Sequence, residues 1–159
     1  MNSKKLLTIL TITAFVMTGC SSSKKRNQHI STTDAVVSSE MRQEVPMNVY
    51  YELNKFDLSK SALEIIAAQA EFIAKNKPEK ITIQGHADER GTQEYNLALG
   101  NKRALSHKKV LVEHIKKNGV KINGNAVKVV SFGKTQPVVA NADTESEHAQ
   151  NRRSVVVFE

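Results

Sequence analysis

Asp88 and Arg103 are the two side chains in this sequence whose types and spacing could hold a charged ligand. They belong to one run, Ile81 to Ala104. A short alternating stretch there leads into Gly85-His86-Ala87-Asp88, a second glycine follows at Gly91, and a helix-forming segment then carries Arg103. The turn consumes several of the 15 positions between them, and about two turns of helix supply the rest. Both tips are therefore expected at the same end of a strand–turn–helix unit, facing one cleft. A carboxylate accepts from an ammonium, and an arginine fork grips a carboxylate through two charge-assisted bonds. Such a pair suits a zwitterion, for example the free amino-acid end of a peptide.

Blander roles compete for the same residues. Asp88 could cap the coming helix or pair with a nearby base, and Arg103 could be a solvated helix residue. His86 reads as a hydrogen-bonded turn residue, and the glycines as suppliers of unusual backbone angles. Arg152 and Arg153 could be charges that discourage strand addition. A hydrolase would need more. His86, Asp88 and Glu89 could be metal ligands or an acid and a base. No His-x-x-x-His or cysteine cluster supplies a further ligand, and no Ser or Cys sits at a nucleophile elbow. The residues thus point to binding without catalysis, with no metal and no cofactor.

The elements that must position these groups follow from periodicity. Val49 to Leu53 reads as a strand and Asn54 to Asp57 as a loop. Ser59 or Ser61 can cap a helix whose buried stripe is Leu63, Ile66, Ala67, Ala70, Ile73 and Ala74, stopped by Asn76-Lys77-Pro78. Ile81 to Ile83 is the next strand. A second helix runs from about Gln93 to Asn118, with Leu97, Ala104, Leu111 and Ile115 inward and Gly119 as its stop. Val127 to Phe132 and Ser154 to Phe158 are further strands, and the polar stretch from Asn141 to Gln150 is a loop with a helical turn. The unalternating Val155-Val156-Val157 belongs inside a sheet. The order β-α-β-α-β-β, with two long helices on one face of a small mixed sheet, makes an α/β two-layer sandwich.

The chain has 159 residues, 40% of them hydrophobic, a single cysteine and a formal net charge of +7. One cysteine excludes an internal disulfide. The basic residues are scattered and do not interleave with aromatics, which argues against nucleic acid. Lys4 and Lys5 precede an apolar run from Leu6 to Met17, which as helix spans about 18 Å against a hydrocarbon core of about 30 Å. The run reads as a signal segment. It ends in Met17-Thr18-Gly19-Cys20-Ser21, which resembles a bacterial lipobox whose cysteine is cleaved and acylated. Residues 1–19 are then a lipoprotein signal peptide. Residues 20–46 are a lipidated amino terminus and flexible tether, polar and without aromatics, with room for a short helix near 35–42. Residues 47–159 are the folded domain.

Gly85-His86-Ala87-Asp88, Gly91, Asn96, Leu99, Arg103-Ala104, Gly119-Val120, Gly133, Pro137 and Asn151-Arg152-Arg153 fall in the order of the OmpA-like C-terminal domain family. The segment 49–159 resembles that family throughout. His86 to Asn96 and Leu99 to Ala104 are similar to its wall-associated lipoprotein branch, with Gly100 where the wider family often has Ser. The resemblance implies non-covalent binding of peptidoglycan through the free end of meso-diaminopimelate in the stem peptide. Asp88 would take the ammonium and Arg103 the carboxylate. Asn54 would add a hydrogen bond from a position that the family sometimes fills with Asp. Asn96 would touch the ligand or brace the turn, and Arg152 would hold Asp88 or reach the ligand. It further implies a lipid anchor at Cys20 in the outer membrane, facing the periplasm. The Tol system would supply partners, notably the periplasmic propeller protein TolB, in envelope integrity and cell division. A wall-anchoring or scaffolding lipoprotein of the same family without Tol partners is the alternative.

Overall fold

The computed structural model describes residues 45–158. The expected signal segment, Cys20 and nearly all of the tether lie outside these residues. The described chain runs β1 (Asn48–Tyr50), α1 (Lys60–Asn76), β2 (Ile81–His86), α2 (Gln93–Lys117), a 3-10 turn (Gly124–Ala126), β3 (Val127–Gly133), α3 (Glu145–Asn151) and β4 (Arg153–Phe158). The four strands form one mixed sheet in the order β1-β4-β2-β3. β4 is antiparallel to both β1 and β2, and β2 is parallel to β3. The valine run of β4 is thus internal to the sheet, as its lack of alternation implies.

Local chemistry sets the helix ends. Ser59 accepts from the Ala62 amide and starts α1, which ends where Lys77 turns left-handed before Pro78. Thr92 accepts from the Tyr95 amide and starts α2. Thr144 and Glu147 form a reciprocal capping box that starts α3 within the stretch expected to hold only a helical turn. Ile81, Ile83, Val127, Val156 and Val49 point from the sheet toward Ile66, Ala70, Ile73, Leu111 and Ile115 of the two long helices, and these form the core.

Two residues expected in the core are not there. Leu63 is 39% exposed and Leu97 38% exposed. Ala62 and Gln69 share the inward face of α1, and Asn96, Gly100, Arg103 and His107 share that of α2. For Leu97 the reason lies at Gly85 and Gly100. A Cβ on Gly85 would stand 1.9 Å from the Gly100 carbonyl oxygen. Helix α2 therefore lies backbone to backbone on β2 at this point, where glycine meets glycine and Ala104 follows.

Candidate functional site

Five side chains from different parts of the chain were expected to converge. Asp88 follows β2, Arg103 lies in the third turn of α2 and Asn96 in its first, Asn54 is in the loop after β1, and Arg152 joins α3 to β4. The structure brings Asp88 and Arg152 into direct contact. Arg152 Nη1 donates to Asp88 Oδ2 at 3.3 Å, while its Nε donates to the Tyr51 carbonyl at 3.0 Å. Arg90 Nη2 donates to the same Asp88 oxygen. Asp88 Oδ1 receives the Arg90 backbone N–H at 3.3 Å. Burial pushes the Asp88 carboxyl up, but the bonds from Arg90 and Arg152 outweigh it and hold the group below its ordinary value. It is a carboxylate at neutral pH, with one oxygen doubly occupied by cations and the other held by a backbone amide.

Arg103 corrects the expectation of two exposed tips. It is fully buried. Nε donates to the Lys55 carbonyl at 2.9 Å, Nη1 to that of His86 at 2.8 Å, and Nη2 to that of Glu52 at 3.1 Å. Three of the five guanidinium N–H donors are thus spent on carbonyls. Its charge also lies 5.2 Å from the centre of the Tyr51 ring. The close approach at Gly100 draws this face of α2 into the fold, so a side chain one turn later lies inside it instead of at a rim. Burial lowers Arg103 to about 10, with Tyr51 and Asp88 opposing the fall, and it stays cationic at neutral pH. Among the described residues, no carboxylate comes within 4.0 Å of its guanidinium.

Asn96 braces the turn, its Nδ2 donating to the Arg90 carbonyl at 2.9 Å from a buried position. Asn54 is exposed and left-handed, with φ 57°. Its Oδ1 accepts from the Tyr95 hydroxyl at 3.5 Å, at the limit of a hydrogen bond. His86, read as a hydrogen-bonded turn residue, ends β2 stacked on Phe132, with no ring nitrogen in a well-aligned hydrogen bond and only a weak interaction with the Gln136 backbone. Burial, then the Arg153 charge, lowers it to about 4, so the ring is neutral. Among the described residues, no group of three or more His, Cys, Asp or Glu could hold a metal ion.

Two residues that the sequence reading passed over complete the centre. Glu145, the first residue of α3, binds Arg90 Nη1 at 3.0 Å and Arg152 Nη2 at 2.8 Å. Asp88, Arg90, Glu145 and Arg152 therefore close a ring of alternating charge. The sequence did carry a signal: Thr144-Glu145-Ser146-Glu147 fits a capping box, which places Glu145 in the first turn of a helix. Beside this ring, a groove of about 650 Å³ opens between β1 and α1, lined in part by Tyr50, Glu52, Lys55, Ser59 and Arg152. It touches the ring only through Arg152, and Asp88 and Arg103 are not on its walls. An anion screened by two cations thus stands near a buried cation that, among the described residues, has no carboxylate within 4.0 Å.

A family profile described as "OmpA family" matches residues 50–152. The peptidoglycan-associated lipoprotein of Pasteurella multocida is 31% identical over 157 residues, covering 98% of this chain and 99% of that protein. The protein of the same name from Rhizobium meliloti is 39% identical over 110 residues, which is 69% of this chain. The match spans 58% of that relative's length. The crystal structure of the peptidoglycan-associated lipoprotein from Burkholderia pseudomallei superposes with a TM-score of 0.61 at 34% identity, covering 71% of this chain and 90% of that one. The C-terminal domain of Helicobacter pylori MotB, at 22% identity and a TM-score of 0.59, covers 70% of this chain and 83% of its own and shares the fold. With a matching profile over most of its length and an end-to-end relative, the chain belongs to the OmpA family.

Proposed function

We propose that this protein binds peptidoglycan without cleaving it, through the free end of meso-diaminopimelate in the stem peptide. The observation that carries the reading is Arg103, a buried cation bonded to carbonyls and, among the described residues, to no carboxylate, near enough to the ion-paired Asp88 to feel its charge. A ligand with an ammonium and a carboxylate on one carbon supplies the anion that Arg103 lacks and a cation able to compete for Asp88, which already holds Arg90 and Arg152. The ammonium takes Asp88, and the carboxylate takes the guanidinium N–H groups of Arg103. The carbonyls of Glu52 and Lys55 that cover Arg103 belong to an exposed loop, so its rearrangement opens the way. Asn54, at the tip of that loop, adds a hydrogen bond to the ligand, Asn96 fixes the turn that presents Asp88, and Arg152 steadies the carboxylate.

Charge-assisted bonds contribute about 1.5–3 kcal/mol each, so two or three leave an affinity in the micromolar range after the costs of association. That is sufficient for a protein that cannot diffuse away from a repetitive polymer. Acylation at Cys20 would anchor residues 20–46 as a tether in the outer membrane, periplasmic side, with residues 47–159 reaching the wall. The names of the relatives support a lipoprotein of the envelope. Docking to the propeller protein TolB, in the Tol system that serves envelope integrity and cell division, is the partner reading. It predicts that wall and propeller exclude one another in a pull-down.

The test is retention of the chain on purified sacculi with free meso-diaminopimelate as competitor. Retention should be lost on competition and in Asp88→Ala and Arg103→Ala. Undiminished retention in both variants refutes the site. Release of soluble fragments from the wall by the pure chain refutes the non-enzymatic reading.

A further inference from the structure

Resting on that reading, we propose that Arg90 is a resident stand-in for the ligand's ammonium, and that Glu145 keeps it within reach when the ligand displaces it.

The two arginines of the ring are not equivalent. Arg152 is buried and fixed at three points: Asp88, Glu145 and the Tyr51 carbonyl. The Arg90 side chain is 38% exposed, and among the described residues its guanidinium is held by Asp88 and Glu145 alone. Of the two cations on Asp88 Oδ2, Arg90 is therefore the one that can leave. Its backbone stays in place, because its N–H is held by Asp88 Oδ1 and its carbonyl by Asn96. Only the side chain has to swing, and Glu145, with its carboxylate 61% exposed, stands at the other end of that swing.

Binding is then an exchange of one cation for another. The incoming ammonium takes the Asp88 position that the Arg90 guanidinium vacates, and Arg90 remains paired with Glu145. No charge is left bare at any stage, which matters in a site where Asp88 is nearly buried. The exchange also sets selectivity. A ligand must bring its own cation to displace Arg90, and its net gain is the difference between two ion pairs. Removing the resident should strengthen binding of an aminated ligand. Removing Glu145 should weaken it, because Arg90 would then rest on Asp88 alone, while Arg152 is already fixed on Asp88 and the Tyr51 carbonyl.

A purely architectural ring predicts something else: every substitution in it loosens the site and weakens binding. The test is calorimetric titration of the chain lacking residues 1–20 with free meso-diaminopimelate and with pimelate, which has the carboxylates but no amine. Arg90→Gln should raise affinity for diaminopimelate about three- to five-fold, the scale of a partly exposed ion pair. It should do so without raising affinity for pimelate. Glu145→Gln should lower diaminopimelate affinity by a similar factor, and the double variant should match Arg90→Gln, since Glu145 acts through Arg90. Weaker diaminopimelate binding in Arg90→Gln, or an equal loss from Glu145→Gln with and without Arg90, overturns the exchange while leaving wall binding in place. No binding of diaminopimelate by any variant, the unsubstituted chain included, overturns both.

Discussion

Tyr51 and Arg103 are joined twice. The Tyr51 hydroxyl donates to the Arg103 carbonyl oxygen at 3.0 Å, and the Arg103 guanidinium lies 5.2 Å from the centre of the Tyr51 ring. The end of β1 and the third turn of α2 are thereby held together through both the backbone and the side chain of one residue. Arg103 also fastens the loop after β1 through the carbonyls of Glu52 and Lys55.

Arg103→Lys should therefore cost stability as well as binding. A lysine keeps the charge but offers one compact ammonium in place of a planar fork, and at least one of the carbonyl bonds is lost. The expected loss is about 2–4 kcal/mol, read as a lower urea midpoint. Exchange of the Lys55 amide, which donates to the Glu52 carbonyl, should accelerate. An unchanged midpoint and an unchanged Lys55 exchange rate would mean that the three carbonyl bonds contribute nothing.

The glycine contact between β2 and α2 makes an asymmetric prediction. A Cβ on Gly85 meets the Gly100 backbone at 1.9 Å, whereas one on Gly100 meets the Ser131 hydroxyl at 2.4 Å and the Gly85 oxygen at 3.0 Å. Backbone cannot move aside as a hydroxyl can. Gly85→Ala should destabilise by about 3 kcal/mol or more, beyond the ordinary range for overpacking. Gly100→Ala should cost clearly less, helped by the better helix propensity of Ala, and Ser131→Ala in that background should recover part of the loss. Thermal melts of the four chains decide it, and equal losses in the two glycine variants would contradict the geometry.

Acid should unfold this domain through its histidines. Burial lowers His107 to about 3, and burial with the Arg153 charge lowers His86 to about 4. In the unfolded chain both titrate near 6.5. The unfolded state thus binds more protons between these limits. The stability in question is present above pH 6.5 and is lost as the pH falls toward 4, by roughly 2 kcal/mol per histidine at pH 5. Urea unfolding between pH 7 and 4.5 measures the slope. His107→Gln, which keeps groups able to bond Gln69 and Ser154, should flatten it by about half. A profile that is level over this range would show that the two rings are accessible to protons in the folded state.

The protonation state of His107 also orders a buried chain of hydrogen bonds. The Gln69 amide donates to the Pro46 carbonyl at 2.7 Å, so its oxygen accepts from His107 Nε2 at 2.8 Å. The Ser154 hydroxyl then donates to the bare Nδ1 at 2.8 Å, and its oxygen lies 3.0 Å from the Tyr51 hydroxyl. Tyr51 reaches the Arg103 carbonyl. None of this was legible in the sequence. Apolar spacing located α1 and α2 and most of the core, but Gln69 and His107 belong to the inward face only because each satisfies the other. The same rule misplaced Leu63 and Leu97, since a periodicity count rewards leucine, and for Leu97 it ignores how near the backbones of β2 and α2 come. Asp88 and Arg103 were legible as a pair of charges because they share a strand–turn–helix unit. Arg90 and Glu145 were not, because the ring that joins them closes across 55 positions.

That buried chain has a mechanical reading. Pulling on the polypeptide upstream of residue 45 would strain the Pro46–Gln69 bond and the short edge strand β1 first. Through His107, Ser154 and Tyr51, the strain is passed to the backbone of Arg103. The bonds that resist tension at the amino-terminal side of this domain are continuous with those that hold the buried guanidinium in place. A pull on that side therefore loads the same short series of atoms that positions the Arg103 backbone.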